Sequence, residues 1–263
     1  MPAEREGTHV IVFKDLAYDG RLGNQLWRIA GTLGIAAARH DDARFGEWTY
    51  RPYFSVPDRY FDWVDGEDAA TIPQHIEPRH RPWLQDANLW LPVEELIRRF
   101  FAPSDLAQAQ LVERYADLLA VPDRIAVHVR RGNYLNEPTL FPTCSQAYYR
   151  SALDALPGGN VVLFSDDPAW CAENLAWMRP HAIAGYQVTD RLETHREGNP
   201  DYVDLLLMAS CHRHIIANSS FSWWGAFLSA NRSPVFPRRW YGPGFPDLDP
   251  SLMFLPDWIG VDA

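Results

Sequence analysis

From Ile125 to the C-terminal region, short apolar runs alternate with stretches of helical periodicity, and this alternation constrains the fold more than any other feature of the chain. Strands are expected from Ile125, at Val161–Phe164, near 183–188 and at His214–Ala217. Helices are expected around Ser145–Leu156, Pro168–Trp177, Tyr202–Cys211 and Ser222–Ala230. Strand and helix alternating at this length imply a parallel sheet covered on both faces, and hence an α/β fold. Ligands of such sheets sit beyond the carboxyl ends of the strands, which directs attention to the loops after Val129, Phe164 and Ala217.

The front half reads differently. His9–Phe13 forms a first strand, Asp19-Gly20-Arg-Leu-Gly-Asn24 a glycine-bearing turn, and Gln25–Arg39 a helix with one apolar face. From Arg44 to about Pro92 the periodic signal fades into prolines and aromatics, including Trp63, Pro73, Pro78 and Pro82, so short strands and long loops are expected there. Ser104 should cap a helix running to Leu119, which Val121-Pro122-Asp123 terminates. A boundary near Pro122 divides the 263 residues into lobes 1–121 and 122–263, both large enough to hold a core. The first would carry the glycine loop and the acceptor surface.

Charge narrows the partners. At −10, the chain would repel nucleic acid and anionic membranes at long range, so an anionic ligand must be held by local arginines. Cys144, Cys171 and Cys211 are odd in number and lack metal-ligand spacing, which fits neither a disulfide framework nor a zinc site. The charged N-terminus shows no signal-peptide pattern and no apolar stretch reaches the ~20 residues of a spanning helix, so a soluble cytoplasmic protein is expected. The 11 tryptophans suit either sugar stacking or core filling, and core filling accounts for most of them.

The three loops carry the chemistry. Ile125-Ala-Val-His-Val-Arg-Arg-Gly-Asn-Tyr134 delivers His128, Arg130 and Arg131 toward a loop, with His128 and Arg130 on one strand face. An arginine fork matches phosphate oxygens in pairs; the competing reading is an arginine paired with a carboxylate at the sheet edge. In Phe164-Ser-Asp-Asp-Pro168, Asp166 or Asp167 either caps the next helix or accepts two hydrogen bonds from guanine. Asn218, Ser219, Ser220 and Ser222 precede or open a helix and suit a diphosphate cradle, beyond the single serine that an N-cap needs. The Gly20–Gln25 turn matches neither a dinucleotide fingerprint nor a P-loop. Asp247-Leu-Asp249, flanked by prolines, reads as a surface turn rather than a metal–diphosphate motif.

Taken together, Gly20-Arg-Leu-Gly-Asn-Gln25, Val127-His-Val-Arg-Arg-Gly-Asn-Tyr134, Phe164-Ser-Asp-Asp167 and Ala217-Asn-Ser-Ser-Phe-Ser-Trp-Trp-Gly-Ala-Phe-Leu228 closely resemble the α-1,2-fucosyltransferase family, glycosyltransferase family 11, of the bacterial or phage type. The resemblance implies a GT-B fold of two Rossmann-like lobes with the donor site in the C-terminal lobe. It also implies inverting, metal-independent transfer of L-fucose from GDP-fucose to a glycan acceptor, with O2 of a β-galactoside as the first expectation, and no cofactor. His128 and Arg130 would face the donor diphosphate, an aspartate of the Ser-Asp-Asp run would meet guanine, and the loop of Gly23 and Asn24 would close over the sugar phosphate. The family's usual Asp after Arg-Arg-Gly is Asn133 here; if that Asp serves as a base, this chain must use another group, with Glu137 as the candidate, and a dissociative reaction would need little base help. A fucosyltransferase of another linkage or protein acceptor, or a carbohydrate-binding protein without turnover, remains open on the same residues.

Overall fold

The computed structural model describes residues 9–16, 20–62, 69–71, 83–185, 201–231 and 233–262. The expectations for Asp19, Trp63, Pro73, Pro78, Pro82 and the end of the strand near 183–188 lie outside these residues.

Among the described residues, two all-parallel sheets organise the molecule. In the first, β1 (Val10–Phe13) lies between β2 (Asp42–Phe45) and β3 (Ala69–Thr71), and α1 (Leu22–Arg39) makes the crossover from β1 to β2. α2 (Glu94–Phe100) and α3 (Asp105–Leu119) lead to the second sheet. Its strands are β4 (Arg124–Val129), β5 (Asn160–Ser165), β6 (Ala182–Gly185), β7 (Arg213–Ile215), β8 (Val235–Pro237) and β9 (Ile259–Val261), in the order β6-β5-β4-β7-β8-β9. The intervening helices are α4 (Gln146–Ala155), α5 (Pro168–Asn174), α6 (Asp201–Ala209) and α7 (Ser220–Leu228).

The Ser104 cap read from sequence holds, and Ser145 caps its helix in the same way. Ser104 Oγ accepts the Ala107 N–H at 3.3 Å and Ser145 Oγ that of Tyr148 at 3.1 Å, each satisfying a donor that a helix start leaves open. All six residues of β4 are buried, because helices cover both faces of this central strand. Ile125, Val127 and Val129 pack into a cluster with Tyr148, Tyr149 and Leu175, whereas Ala126 joins Leu207 and Met208 on the opposite face.

A third cluster spans both halves of the chain. Trp27 of α1, Trp90, and Trp223 and Trp224 of α7 are fully buried and form mutual ring contacts, with Trp27 and Trp223 centroids 4.3 Å apart. This aromatic block fixes α1 against α7, and it accounts for four of the tryptophans as core.

Candidate active site

α1 and α7 meet at their N-termini, at the carboxyl ends of β1 and β7. Gly23 makes the meeting possible: a Cβ there would stand 2.6 Å from both the Phe221 nitrogen and the Ser220 carbonyl carbon. Ser220 Oγ donates to Asn24 Oδ1 at 2.7 Å, and Gln85 Nε2 donates to the same oxygen at 3.1 Å. Gln25 Nε2 holds the Gly20 carbonyl at 3.1 Å while its Oε1 accepts from Trp48 Nε1. Neither N-cap residue, Arg21 or Ser219, caps its helix with its side chain. Two helix starts therefore direct their positive ends into one space, an arrangement suited to an anion.

Arg130 leaves the end of β4 at the same place. Its Nη1 pairs with Asp166 Oδ2 at 2.5 Å, its Nη2 donates to Asn133 Oδ1, and its guanidinium carbon lies 5.0 Å from the Tyr134 ring centroid. Asp166 Oδ1 also accepts the Arg131 backbone N–H at 2.9 Å. A Cβ at Gly132 would overlap Asp166 Oδ2, so the glycine of the Arg-Arg-Gly run admits the carboxylate to this loop. Arg131 turns away, with Nε 3.1 Å from Asp167 Oδ2 and its guanidinium 3.8 Å above Trp170.

These elements enclose a cleft of about 340 Å³. Of the residues singled out from sequence, Gly23, Asn24, Arg130, Glu137, Asn218, Ser219 and Ser220 line it. Asn218 works largely as a clamp, because its Nδ2 donates to the Pro142 and Trp240 carbonyls and its own carbonyl accepts from Tyr134 Oη. Asn133, the position that departs from the family pattern, also lines the cleft and orients Arg130.

Five expected residues stand behind the wall instead. His128 is fully buried beside Phe221, 5.8 Å between ring centroids, and burial together with the neighbouring Arg130 pushes its pKa down to about 3. It is a neutral core histidine, because β4 is covered on the face that carries it. Arg131 takes Asp167 and Trp170. Asp166 has only 1% of its side chain exposed, and both of its oxygens serve the Arg130–Arg131 loop rather than an incoming base. Asp167 Oδ1 accepts the Trp170 N–H, capping α5. Ser222 Oγ donates to the carbonyls of Ala217 and Ser219, so its hydroxyl is spent inside the helix start. Asp249 caps a single turn through the Ser251 N–H, in keeping with the surface-turn reading.

The cleft also holds residues that sequence reasoning missed. Arg21 adds a second arginine, Asp201 a second carboxylate, and Trp83, Phe141, Tyr241 and Phe245 an aromatic wall. Arg21 and Tyr134 lie inside the motifs and could have been read there. Asp201 carries no such signal, since it reaches the cleft through the packing of α6 on α7 and α3. Tyr50 Oη donates to Asp201 Oδ2 at 2.9 Å. Burial, and secondarily the Asp204 charge, push the Asp201 carboxyl up to about 6, against the opposing hydrogen bond from Tyr50. Among the described residues no His, Cys, Asp and Glu side chains gather into a metal-binding group, and no helix is long and apolar enough to cross a membrane.

Comparison with known proteins agrees with this architecture. An alpha-1,2-colitosyltransferase of Escherichia coli is 31% identical over 153 residues, covering 55% of this chain and 49% of that protein. The chain thus matches about half the length of that curated relative. Galactoside alpha-(1,2)-fucosyltransferase 1 of Sus scrofa is 27% identical over all of this chain and 77% of its own length. Among solved structures, a mutant Arabidopsis thaliana FUT1 in complex with GDP superposes with a TM-score of 0.54 at 13% identity, covering 91% of this chain and 74% of that one. The fold is GT-B-like. The family model described as Glycosyl transferase family 11 matches residues 41–262, and the chain belongs to that family.

Proposed function

We propose that the chain transfers L-fucose from GDP-fucose to a hydroxyl of a glycan acceptor, with inversion and without a metal ion. The observation that carries this reading is the convergence of two helix N-termini, neither capped by its N-cap side chain, and of Arg21 and Arg130 on one cleft. Fucosyl transfer builds oxocarbenium character on the sugar and negative charge on the departing diphosphate. Donors fixed before the reaction stabilise that charge without reorganising, and removing one such donor costs about 3–4 kcal/mol. Arg130 is fixed by Asp166 and Asn133, and the helix starts by their mutual packing.

The residues proposed to hold the donor are Gly23, Asn24, Arg130, Asn218, Ser219 and Ser220, with Arg21 added and His128, Arg131, Asp166, Asp167 and Ser222 as their support. The diphosphate site draws on both sides of Pro122, because α1 belongs to the first half and α7 to the second. GDP as the nucleotide rests on the named complex of the solved relative and on the family. The aromatic wall of Trp83, Tyr241 and Phe245 suits the apolar face of a pyranose, and the names of the fucosyltransferase relatives favour O2 of a galactoside. Cytoplasmic placement is part of the same proposal.

The test is titration calorimetry with GDP, UDP and ADP, followed by GDP-fucose turnover on galactosides with the product linkage read by NMR. GDP should bind most tightly, and transfer should survive EDTA. Equal affinity for the three nucleotides would remove the donor assignment, and loss of transfer on chelation with recovery in Mn²⁺ would remove the electrostatic account.

A further inference from the structure

An acceptor hydroxyl must lose a proton as it attacks, and two carboxylates line the cleft, Glu137 and Asp201. They differ in setting. Glu137 is solvent-exposed at the end of the Arg-loop turn. Asp201 is partly buried at the first residue of α6, where its oxygen is fixed by the Tyr50 hydroxyl. A general base acts from a fixed position within reach of the hydroxyl it deprotonates, and the Tyr50 hydrogen bond gives Asp201 such a position.

We propose, building on the reading of the cleft as a fucosyl-transfer site, that Asp201 is the general base that takes the proton of the attacking acceptor hydroxyl, with Tyr50 as its positioning residue. The acceptor oxygen forms its bond to the anomeric carbon of fucose while the bond from that carbon to the β-phosphate oxygen breaks. The electron pair of the broken bond leaves with GDP, and the hydroxyl proton passes to the free lone pairs of the Asp201 carboxylate, which later returns it to water. This step needs no co-reactant.

The surroundings set the pH response. Tyr50 faces Asp201 from the segment after β2, Arg21 from the start of α1, and Tyr202 and Asp204 from α6 itself, with Tyr53 stacked on Tyr202. Burial and then Asp204 raise its pKa, whereas Tyr50, the Tyr202 N–H and Arg21 hold it down, to about 6 in all. The base acts ionised, so kcat/KM should rise with pH through about 6 and then level.

Asp201→Asn keeps the shape and removes the basicity. Its kcat should fall by at least about a hundredfold, the acid limb should vanish, the chain should still melt cooperatively, and GDP affinity should stay close to wild type. Tyr50→Phe tests the assignment even where Asp201→Asn folds poorly: losing a donor to the ionised carboxylate should move the acid limb up by about half to one pH unit, and losing the contact that positions it should lower the plateau kcat severalfold. An Asp201→Asn enzyme within a few-fold of wild-type kcat overturns the assignment, as does a limb that persists there and disappears in Glu137→Gln. A limb unmoved in Tyr50→Phe overturns the positioning role. Failure of the wild-type chain to bind GDP would strike the donor reading itself, and is distinguishable because failures specific to Asp201 leave wild-type GDP binding and transfer intact.

Discussion

Arg130 shows how one residue can satisfy two readings at once. From sequence it is either a phosphate ligand or half of a carboxylate pair, and the structure makes it a paired arginine that still lines the cleft. The pair carries a consequence for Asp166. Removing its charge leaves a buried guanidinium without its counter-charge, a change that typically costs about 3–5 kcal/mol. Asp166→Asn is therefore expected to lower the melting temperature clearly and to loosen the Arg130 loop, rather than to weaken nucleotide binding in an otherwise normal protein. Melts of the variant alongside GDP titration check this, and an unchanged melt would return Asp166 to the role of a nucleotide-reading carboxylate. Arg130→Lys separates fork from charge, since a single ammonium cannot serve Asp166, Asn133 and a phosphate together. Its kcat should drop about tenfold to a hundredfold even in the folded fraction, measured by active-site-normalised turnover. Normal turnover with early melting would mean that the pair is structural only. What sequence could not reveal at this scale is the side of the wall. His128 turns behind the wall because β4 is covered on its face, Asp166 because it pairs with the Arg130 loop, and Ser222 because its hydroxyl meets the Ala217 and Ser219 carbonyls, none of which a local pattern encodes.

Elements with strong local signals were legible, and those defined by their neighbours were not. α3 announces itself by Ser104, whose cap is present, α4 by its helical stretch from Ser145, and β5 by an uninterrupted apolar run. β8 and β9 are three residues each and went unread, because so short a strand exists only through the pairing that Val235–Pro237 makes with Ile259–Val261. β2 and α2 were hidden in the same way at the borders of the proline-rich region, as short pieces without a period, whereas β3 falls inside the stretch expected to hold short strands. The meeting of α1 and α7 was likewise outside the sequence's reach, although its enabling residue, Gly23, was visible. Gly23→Ala puts a methyl where Ser220 and Phe221 already stand, so the helix starts must separate. Overpacking of this kind costs about 1–3 kcal/mol in stability. Because the anion site is made of the convergence itself, GDP affinity should fall by roughly the same free energy, about fivefold to 150-fold by calorimetry. A variant that melts early but binds GDP normally would show that the two helix starts act independently.

At the scale of the whole molecule, four buried titratable groups pull stability in opposite directions with pH. His128 and His214 have their pKa values pushed down by burial to about 3 and about 4, so both stay neutral in the fold and take up protons only on unfolding. Their contribution is therefore lost as pH falls below about 6.5, the ordinary histidine value. Asp201 and Asp204 do the reverse. Burial raises both to about 6, so the folded chain keeps protons that the unfolded chain releases near 3.9, and their contribution is present below that value and lost as pH rises through about 6. Between about pH 4.5 and 6 the unfolded state binds two more protons at the histidines and two fewer at the carboxylates, and the slopes oppose each other. Asp204→Asn removes one of the carboxylates while leaving an oxygen to accept the Tyr115 hydroxyl that bonds to it. Across that window the variant's stability should climb with pH relative to wild type by up to about 1.4 kcal/mol per pH unit, and the gain should level off above pH 6. Chemical denaturation at half-unit intervals measures it directly: two curves displaced by a constant amount would mean that Asp204 ionises alike in the folded and unfolded chains, and that burial of α6 against α3 carries no proton-linked strain.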